Sequence, residues 1–454
     1  HMERERILVI SHSYTPFLNP RAFRWSAIAE HWVKEGTKVD VVSSWLPGLK
    51  RFEILNGVEI HRVGGTILER LRAMLRPKTR ATAEIDTNSD KDTTIGYFST
   101  IGKWVFAAAR FINDKIWKNI YWPDYACTWI GPAASKAIEL CEMEKYSAVV
   151  SVSDPFSSHL AGEKVKQFKS EINWLVDIGD PFSFRHDNPT NNHTIYRKLN
   201  NRVEKRIFSF ADCVTVTSEN TRRKYAEVFG GLESKIHTVH PLWDKFNAGV
   251  NDDRILSGKK KIKLVYVGTL YRSIRNPEYL LKLFEILASI PGHENVELHF
   301  FGGNDDCRSI FETYHYLFGE KLFFHGLVSR TKVLRAMSEA DILVNIGNNN
   351  PYQLPSKLVE YAGLAKPILN LYTIANDSSK EFLQEYPAIL NIQASSSAPI
   401  YDQANQLAEY INLLPMEIPE SFRTQWLSRF SVETIAGEYS RLLKPIQSGV
   451  TSRV

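Results

Sequence analysis

Cysteine is scarce and scattered. The 454-residue chain carries four (Cys127, Cys141, Cys213 and Cys307) with no CxxC spacing among them. That argues against a disulfide framework and a zinc site, and it fits a reducing, cytoplasmic setting. Long apolar runs are missing as well: no stretch reaches the roughly 18 residues that a spanning helix needs. The run Ile7–Ser11, behind Glu3-Arg4-Glu5-Arg6, is too short for a signal peptide. No GxGxxG fingerprint and no GxSxG elbow occur, which counts against a dehydrogenase and against serine–histidine nucleophilic catalysis. The net charge of +5 is small for the length, so an anionic partner is implied only where basic residues cluster. With 43 % hydrophobic and 24 % charged residues, the composition is that of a globular protein. His1 and Met2 read as the remnant of an expression tag and are set aside. The expectation is a soluble or peripheral protein of the cytoplasmic side.

What is present is a pattern that occurs twice. Arg6–Ser11 is a short apolar strand, followed by a polar loop, a helical pattern from Phe23 to Lys34, Gly36, and a second apolar strand at Val39–Ser43. Strands without polar alternation, joined by helices, suit a parallel sheet covered on both faces. Ala148–Val152, Asn173–Asp177 and Cys213–Thr217 continue the series. After a polar, irregular stretch the pattern restarts at Ile262–Val267 and runs through strands at Val296–Phe301, Leu322–Phe324, Ile342–Asn345 and Pro367–Leu371. Helices are predicted at Pro277–Leu287, Thr331–Ser338 and Ser356–Gly363. The fold class is therefore α/β, with two doubly wound, Rossmann-like domains of about 200 residues each facing a central cleft. The boundaries expected are 3–245 for the first domain, 246–261 for a linker, 262–430 for the second domain, and 431–454 for a terminal helix crossing back to the first.

One region breaks the pattern. Within the insertion 66–120, Leu68–Arg80 is basic with interleaved leucines, and Tyr97–Trp122 mixes aromatics with Lys103, Arg110, Lys115 and Lys118. Such a cationic, amphipathic stretch, 68–122, suits docking on an anionic membrane surface. It suits an ordinary pair of surface helices equally well. Nothing accompanies it that would point to nucleic acid.

The densest motif is Leu354-Pro355-Ser356-Lys357-Leu358-Val359-Glu360-Tyr361-Ala362-Gly363. Pro and Ser open a helix whose free N–H groups and dipole favour an anion, and Lys357 adds a full charge. Glu360, one turn on, suits the hydroxyls of a ribose. A capped helix with an internal Lys–Glu pair explains the same residues.

The run PSKLVEYAGLAKPIL resembles the donor-binding signature of retaining glycosyltransferases of family 4, which share the GT-B fold. SHSYTPFLNPRAFRW, SVSDPFSSHLAGEKV, WLVDIGDPFSF, LVYVGTLYRSIRNPEYLL, VELHFFGGND, LFFHGLVSRTKVLRAMSEADILVNIG and RFSVETIAGEYSRLL are similar to further segments of that family, in order. The resemblance implies a nucleoside-diphosphate sugar as co-substrate, a glycan or lipid-linked acceptor, and no cofactor or metal. Gly268 and Thr269 would turn beneath the donor phosphates. Arg272 or Arg275, with Lys357, would stabilise the departing diphosphate. Ser356, Leu358 and Glu360 complete the donor turn, and Gly326 and Val328 would line the base pocket. Asn19-Pro20-Arg21 would close the cleft from the first domain. Asp177 and Asp180, three residues apart at a strand end, would orient or deprotonate the acceptor; a turn that uses aspartates to satisfy its own backbone is the alternative. His159 would approach the donor sugar or be structural.

Three positions depart from the family pattern: Gly179 replaces an arginine of the DxRDPW-like segment, Thr269 replaces an arginine, and Tyr352 replaces the first glutamate of an ExxxxxxxE pair. The acidic pairs Asp252-Asp253 and Asp305-Asp306 read as solvated turns. A sugar-nucleotide epimerase and a non-catalytic partner subunit of the same fold remain open.

Overall fold

A computed structural model describes residues 5–17, 19–65, 117–185, 189–243, 255–256, 262–355, 357–394 and 397–444. Most of the basic stretch 68–122, Ser356, Asp252 and Asp253 lie outside the described residues. The chain divides into two units: His1–Val239 together with Val432–Val454, and His240–Ser431.

The amino-terminal unit holds β1 (Arg6–Ser11), β2 (Lys38–Ser44), β3 (Phe52–Leu55), β4 (Val58–Val63), β5 (Ala148–Val152), β6 (Asn173–Asp177), β7 (Cys213–Val216) and β8 (Ile236–Thr238). They form one sheet in the order β3-β4-β2-β1-β5-β6-β7-β8. All pairings are parallel except β3 with β4. β1 is central, Val9 lying between Val41 and Val150, and every residue of β1 and β5 is buried. That burial is why these strands read as unbroken apolar runs.

The helix Pro20–Lys34 packs on β2 and β4. Asn19 caps it, its side chain accepting from the Ala22 amide at 2.9 Å, and Pro20 sits where a missing N–H is harmless. Its buried stripe is Ala22, Arg24, Trp25, Ile28, Ala29 and Trp32. The last helix, Val432–Leu443, packs on that stripe although the whole second unit separates them in sequence. Trp32 Nε1 donates to the Ala436 carbonyl at 3.2 Å, and the Trp25 and Tyr439 rings lie 4.9 Å apart. Burying an aromatic side chain of this size contributes roughly 2–3 kcal/mol.

The carboxy-terminal unit holds β9 (Ile262–Val267), β10 (Val296–Phe301), β11 (Leu322–Phe324), β12 (Ile342–Ile346), β13 (Ile368–Tyr372) and β14 (Ile389–Gln393), in the order β11-β10-β9-β12-β13-β14. All are parallel. Alternate residues serve two apolar layers. Leu264 and Tyr266 pack with Leu280, Phe284 and Leu407, whereas Val265 and Val267 pack with Val333, Leu358 and Tyr361. Of the stretch expected to be a linker, only Ile255 and Leu256 are among the described residues, and they are not free. Both amides donate to the Glu339 carboxylate, and Leu256 is buried in this unit's core.

In both units the winding reverses between the first strand and the fourth parallel one, at β1/β5 and β9/β12. Open α/β sheets bind ligands beyond the carboxyl ends of the strands at such a point.

The β3–β4 hairpin is absent from the sequence expectation: β3 is short and mostly exposed, and β4 alternates buried with half-buried residues in place of an unbroken apolar run. Its two-residue turn is Asn56-Gly57, with φ of 49° and 84°. A Cβ at Gly57 would come within 2.5 Å of Val33 Cγ1. Gly57→Ala is therefore expected to cost about 1–3 kcal/mol, read as a lowered urea midpoint at constant m; an unchanged midpoint would refute this account.

Candidate functional site

At the end of β9 and β12 the two strands part, and two backbone groups lose their ladder partners. The Tyr361 hydroxyl takes both, accepting from the Val267 amide at 3.0 Å and donating to the Val344 carbonyl at 3.1 Å. This seats the helix Lys357–Gly363 at the switch point, with Leu358 fully buried beneath it. One turn before Tyr361, Lys357 Nζ lies 3.0 Å from Glu360 Oε2, and Arg330 Nη2 lies 3.1 Å from Glu360 Oε1. Glu360 is thus held between two cations. Arg330, from the helix Arg330–Glu339, is absent from the sequence-derived set.

The loops after β9, β10 and β11 are laced through backbone. The Gly268 amide donates to the Phe301 carbonyl at 2.8 Å, Leu270 to Gly303 at 2.9 Å, and Gly302 to Gly326 at 2.9 Å. Only glycine fits at 302, where φ is +138° and a Cβ would sit 2.0 Å from the Gly268 carbonyl oxygen. Thr269 lies against Gly303, and Val328 packs with Val267 and Leu358.

The two candidate arginines have different fates. Tyr271 and Arg275 bridge in antiparallel fashion, which turns Arg275 back toward Gly268. Its Nη1 lies 3.5 Å from the position a Gly268 Cβ would take, and its Nε is buried with no hydrogen-bond partner among the described residues. Beside it, burial pushes the Tyr266 phenol up to about 12 against the pull of Arg275. Arg272 is committed elsewhere. Its amide donates to Asp306 at 2.8 Å, its Nε to the Asp306 carbonyl at 3.0 Å, and its Nη2 to the Ser309 hydroxyl. Asp306 is exposed in the turn Asp305–Cys307, as expected from sequence, and it also anchors Arg272.

Two further polar groups at the strand ends were not singled out from sequence. Asn348 Oδ1 and Asp377 Oδ2 are buried without a partner among the described residues, and Asp377 Oδ2 lies 2.4 Å from where a Gly347 Cβ would be. Burial raises the Asp377 carboxyl against hydrogen bonds from Ser379 and Lys380.

In the amino-terminal unit the outcome corrects the expectation. Asp177 does not face open space; it is 1 % exposed and ringed by donors. Arg21 Nη2 contacts it, Trp25 Nε1 donates at 2.9 Å, Thr215 Oγ1 at 2.6 Å and the Tyr439 hydroxyl at 2.7 Å. Burial alone would raise its pKa, but Arg21, Arg24 and these hydrogen bonds outweigh that and hold the carboxyl below its usual range. A carboxylate so occupied is a tie between elements and not a proton acceptor. Asn19 is likewise the cap described above. His159 is fully buried, its Nδ1 2.8 Å from Ser151 Oγ, and burial depresses it to about 3, so it stays neutral.

Asp180 is half-exposed and lies 3.4 Å from Arg185 Nη1, which also reaches Asp154 Oδ2 at 2.9 Å. Burial and the Asp180 charge push Asp154, at the end of β5, up to about 6 against the pull of Arg185. Among the described residues one group has the composition of a metal site, Asp40, Glu59 and His61. Arg6 already occupies it, with Nε 2.7 Å from Asp40 and Nη2 3.5 Å from Glu59.

No protein-family model matches the sequence, and no curated protein matches it. Solved structures do. The chain is similar to a glycosyltransferase from Rickettsia africae ESF-5 (TM-score 0.57, 12 % identity, covering 97 % of this chain and 98 % of that one). It is similar to Anabaena Alr3699/HepE, solved in complex with UDP (0.59, 13 %, 96 % and 99 %). It is also similar to WaaG, a glycosyltransferase involved in lipopolysaccharide biosynthesis (0.52, 11 %, 96 % and 99 %). The fold is GT-B. At these identities the likeness is one of architecture: two parallel-sheet, Rossmann-like units in one chain. No described helix is long and apolar enough to cross a membrane.

His159 sets a pH dependence. It is neutral when folded and titrates near 6.5 otherwise, so its contribution is complete above about pH 6.5 and falls as the pH drops toward 3. The expected slope is up to about 1.4 kcal/mol per pH unit. His159→Asn should decline less steeply between pH 7 and 5 in urea unfolding; an equal decline would remove His159 as the source.

Proposed function

We propose that the protein is a glycosyltransferase that takes a sugar from a nucleoside-diphosphate sugar, uridine first and guanosine second. It delivers the sugar to a hydroxyl of a glycan or lipid-linked acceptor, with retention. The supporting observation is the switch point of the carboxy-terminal unit, where Tyr361 seats Lys357 and Glu360 at the ends of β9 and β12 and Arg275 turns back toward Gly268. A diphosphate there would meet the buried, unsatisfied Nε of Arg275 and the ammonium of Lys357. Glu360 would turn from its cations to the ribose, and the backbone of Gly326–Val328 would receive the base.

The chemistry follows from charge. As the bond from the anomeric carbon to the phosphate oxygen breaks, negative charge grows on the diphosphate, and preplaced cations stabilise it most when it is fully developed. The acceptor oxygen bonds to the same carbon, and its proton passes to the departing phosphate oxygen. In this reading Arg275 and Lys357 carry the charge that a divalent ion would otherwise balance. The acceptor belongs to the amino-terminal unit, and the basic stretch 68–122 to an anionic membrane surface where polysaccharide or glycolipid is assembled.

Lys357→Ala, Glu360→Ala and Arg275→Ala should each weaken UDP binding or turnover about tenfold or more, from the loss of roughly 1.5–3 kcal/mol per charged hydrogen bond. Arg272→Ala should leave UDP affinity within about twofold, because its side chain is held by the 306–309 turn. Calorimetric titration with UDP measures both, and full affinity in the first three variants rejects the site. Incubating donor without acceptor separates an epimerase, which would return an altered sugar nucleotide. A chain with no nucleotide affinity would instead be a non-catalytic partner.

A further inference from the structure

The amino-terminal unit carries a fixed cation that the donor site does not use. Arg21 lies in the first turn of the helix Pro20–Lys34, with its side chain 14 % exposed. Its Nη2 meets Asp177, while its Nε is buried with no hydrogen-bond partner among the described residues. An unpaired buried donor is costly, and native structures keep few of them. Asp177 does not neutralise Arg21 alone, because Arg24 also acts on it. Arg24 donates to the Tyr439 hydroxyl at 2.9 Å, and Glu438 adds a weaker attraction to Arg24.

The guanidinium has little freedom to move. Trp25, Thr215 and Tyr439 hold the Asp177 carboxylate from the first helix, from β7 and from the last helix. The carboxylate in turn holds Arg21 over the ends of β5 and β6. There the Gly179 amide donates to Ser153 Oγ at 3.2 Å, and a Cβ at 179 would come within 3.2 Å of Arg21 Nε and 2.8 Å of the Ser153 carbonyl. Glycine at 179 keeps the Nε side of the guanidinium clear. A guanidinium anchored through Nη2, with its Nε still unpaired, retains a charged donor for an oxyanion, the group that arginine binds most strongly.

We propose that Arg21 is the oxyanion-binding residue of the amino-terminal unit and takes a phosphate group of the acceptor. Asp177 and Tyr439 are its positioning residues, and glycine at 179 keeps a side chain from pressing on the Nε. The assignment to an acceptor rests on the glycosyltransferase reading; the oxyanion chemistry does not.

The test is calorimetry on the full chain saturated with UDP, titrated with inorganic phosphate and with a short-chain alkyl phosphate at constant ionic strength. Arg21→Gln should lose about tenfold or more in phosphate affinity. Arg21→Lys keeps the ion pair and the thermal midpoint but lacks the fork, and should lose several-fold. Tyr439→Phe should lose roughly two- to fivefold with UDP affinity unchanged. Wild-type phosphate affinity in the Arg21 variants, or no phosphate binding beyond a chloride control, overturns the proposal. Should Arg21→Gln fail to fold, Arg21→Lys and Tyr439→Phe decide. Tighter binding of the alkyl phosphate supports an acceptor of that class, and equal affinity overturns that assignment. If UDP does not bind, the donor reading fails, and phosphate titrated alone into wild type and Arg21→Lys still decides the role of Arg21.

Discussion

Everything at the carboxy-terminal switch point depends on how a parallel sheet closes where its winding reverses. Beyond the last shared pair of β9 and β12, Val344 with Tyr266, the strands diverge and strand-to-strand hydrogen bonding stops. Buried backbone groups left there are costly unless another group takes them. A single phenol does so on both sides. Because Tyr361 must stand in that gap, the short helix bearing it has one possible seat, and Lys357 and Glu360 come with it. The glycines of the neighbouring loops then follow from crowding, since the chain passes 2.0 Å from where a Gly302 side chain would begin.

Buried polar atoms without partners among the described residues occur in both units: Arg275 Nε, Asn348 Oδ1 and Asp377 Oδ2 in the carboxy-terminal one, and Arg21 Nε in the amino-terminal one. In the amino-terminal unit four side chains converge on the buried Asp177 carboxylate. The family-like segment has arginine at position 179, and here glycine stands in its place. The guanidinium of Arg21 occupies the neighbouring space.

How far the sequence was legible follows from the kind of signal each element leaves. β1, β5, β6, β9, β10 and β11 have the ends expected of them, because strands buried on both faces are continuous apolar runs with polar borders. β3, β4, β8 and β14 were passed over, since none is an unbroken buried run: β3 is mostly exposed, β4 alternates, and β8 and β14 each bury one residue. Glycines at the strand ends and the Lys357–Glu360 turn were visible as residue types at fixed spacing. The neutralisation of Asp177 was not, since its partners lie 152, 156, 38 and 262 residues away. Nor was Arg330, thirty residues from Glu360. Tyr361 did leave a trace: a phenol in the apolar stripe of a buried helix must find a hydrogen-bonding partner.

The return of the last helix to the first unit also orders events on the ribosome. When Thr238 has emerged, every strand of the first sheet has been made, yet the surface of Trp25 and Trp32 that the last helix covers is bare, and Asp177 lacks Tyr439. Those partners arrive only after the entire second unit has been translated. The nascent chain therefore carries two uncovered tryptophans through most of its synthesis, a window in which holding factors find it and in which premature termination leaves an adhesive fragment instead of a folded half.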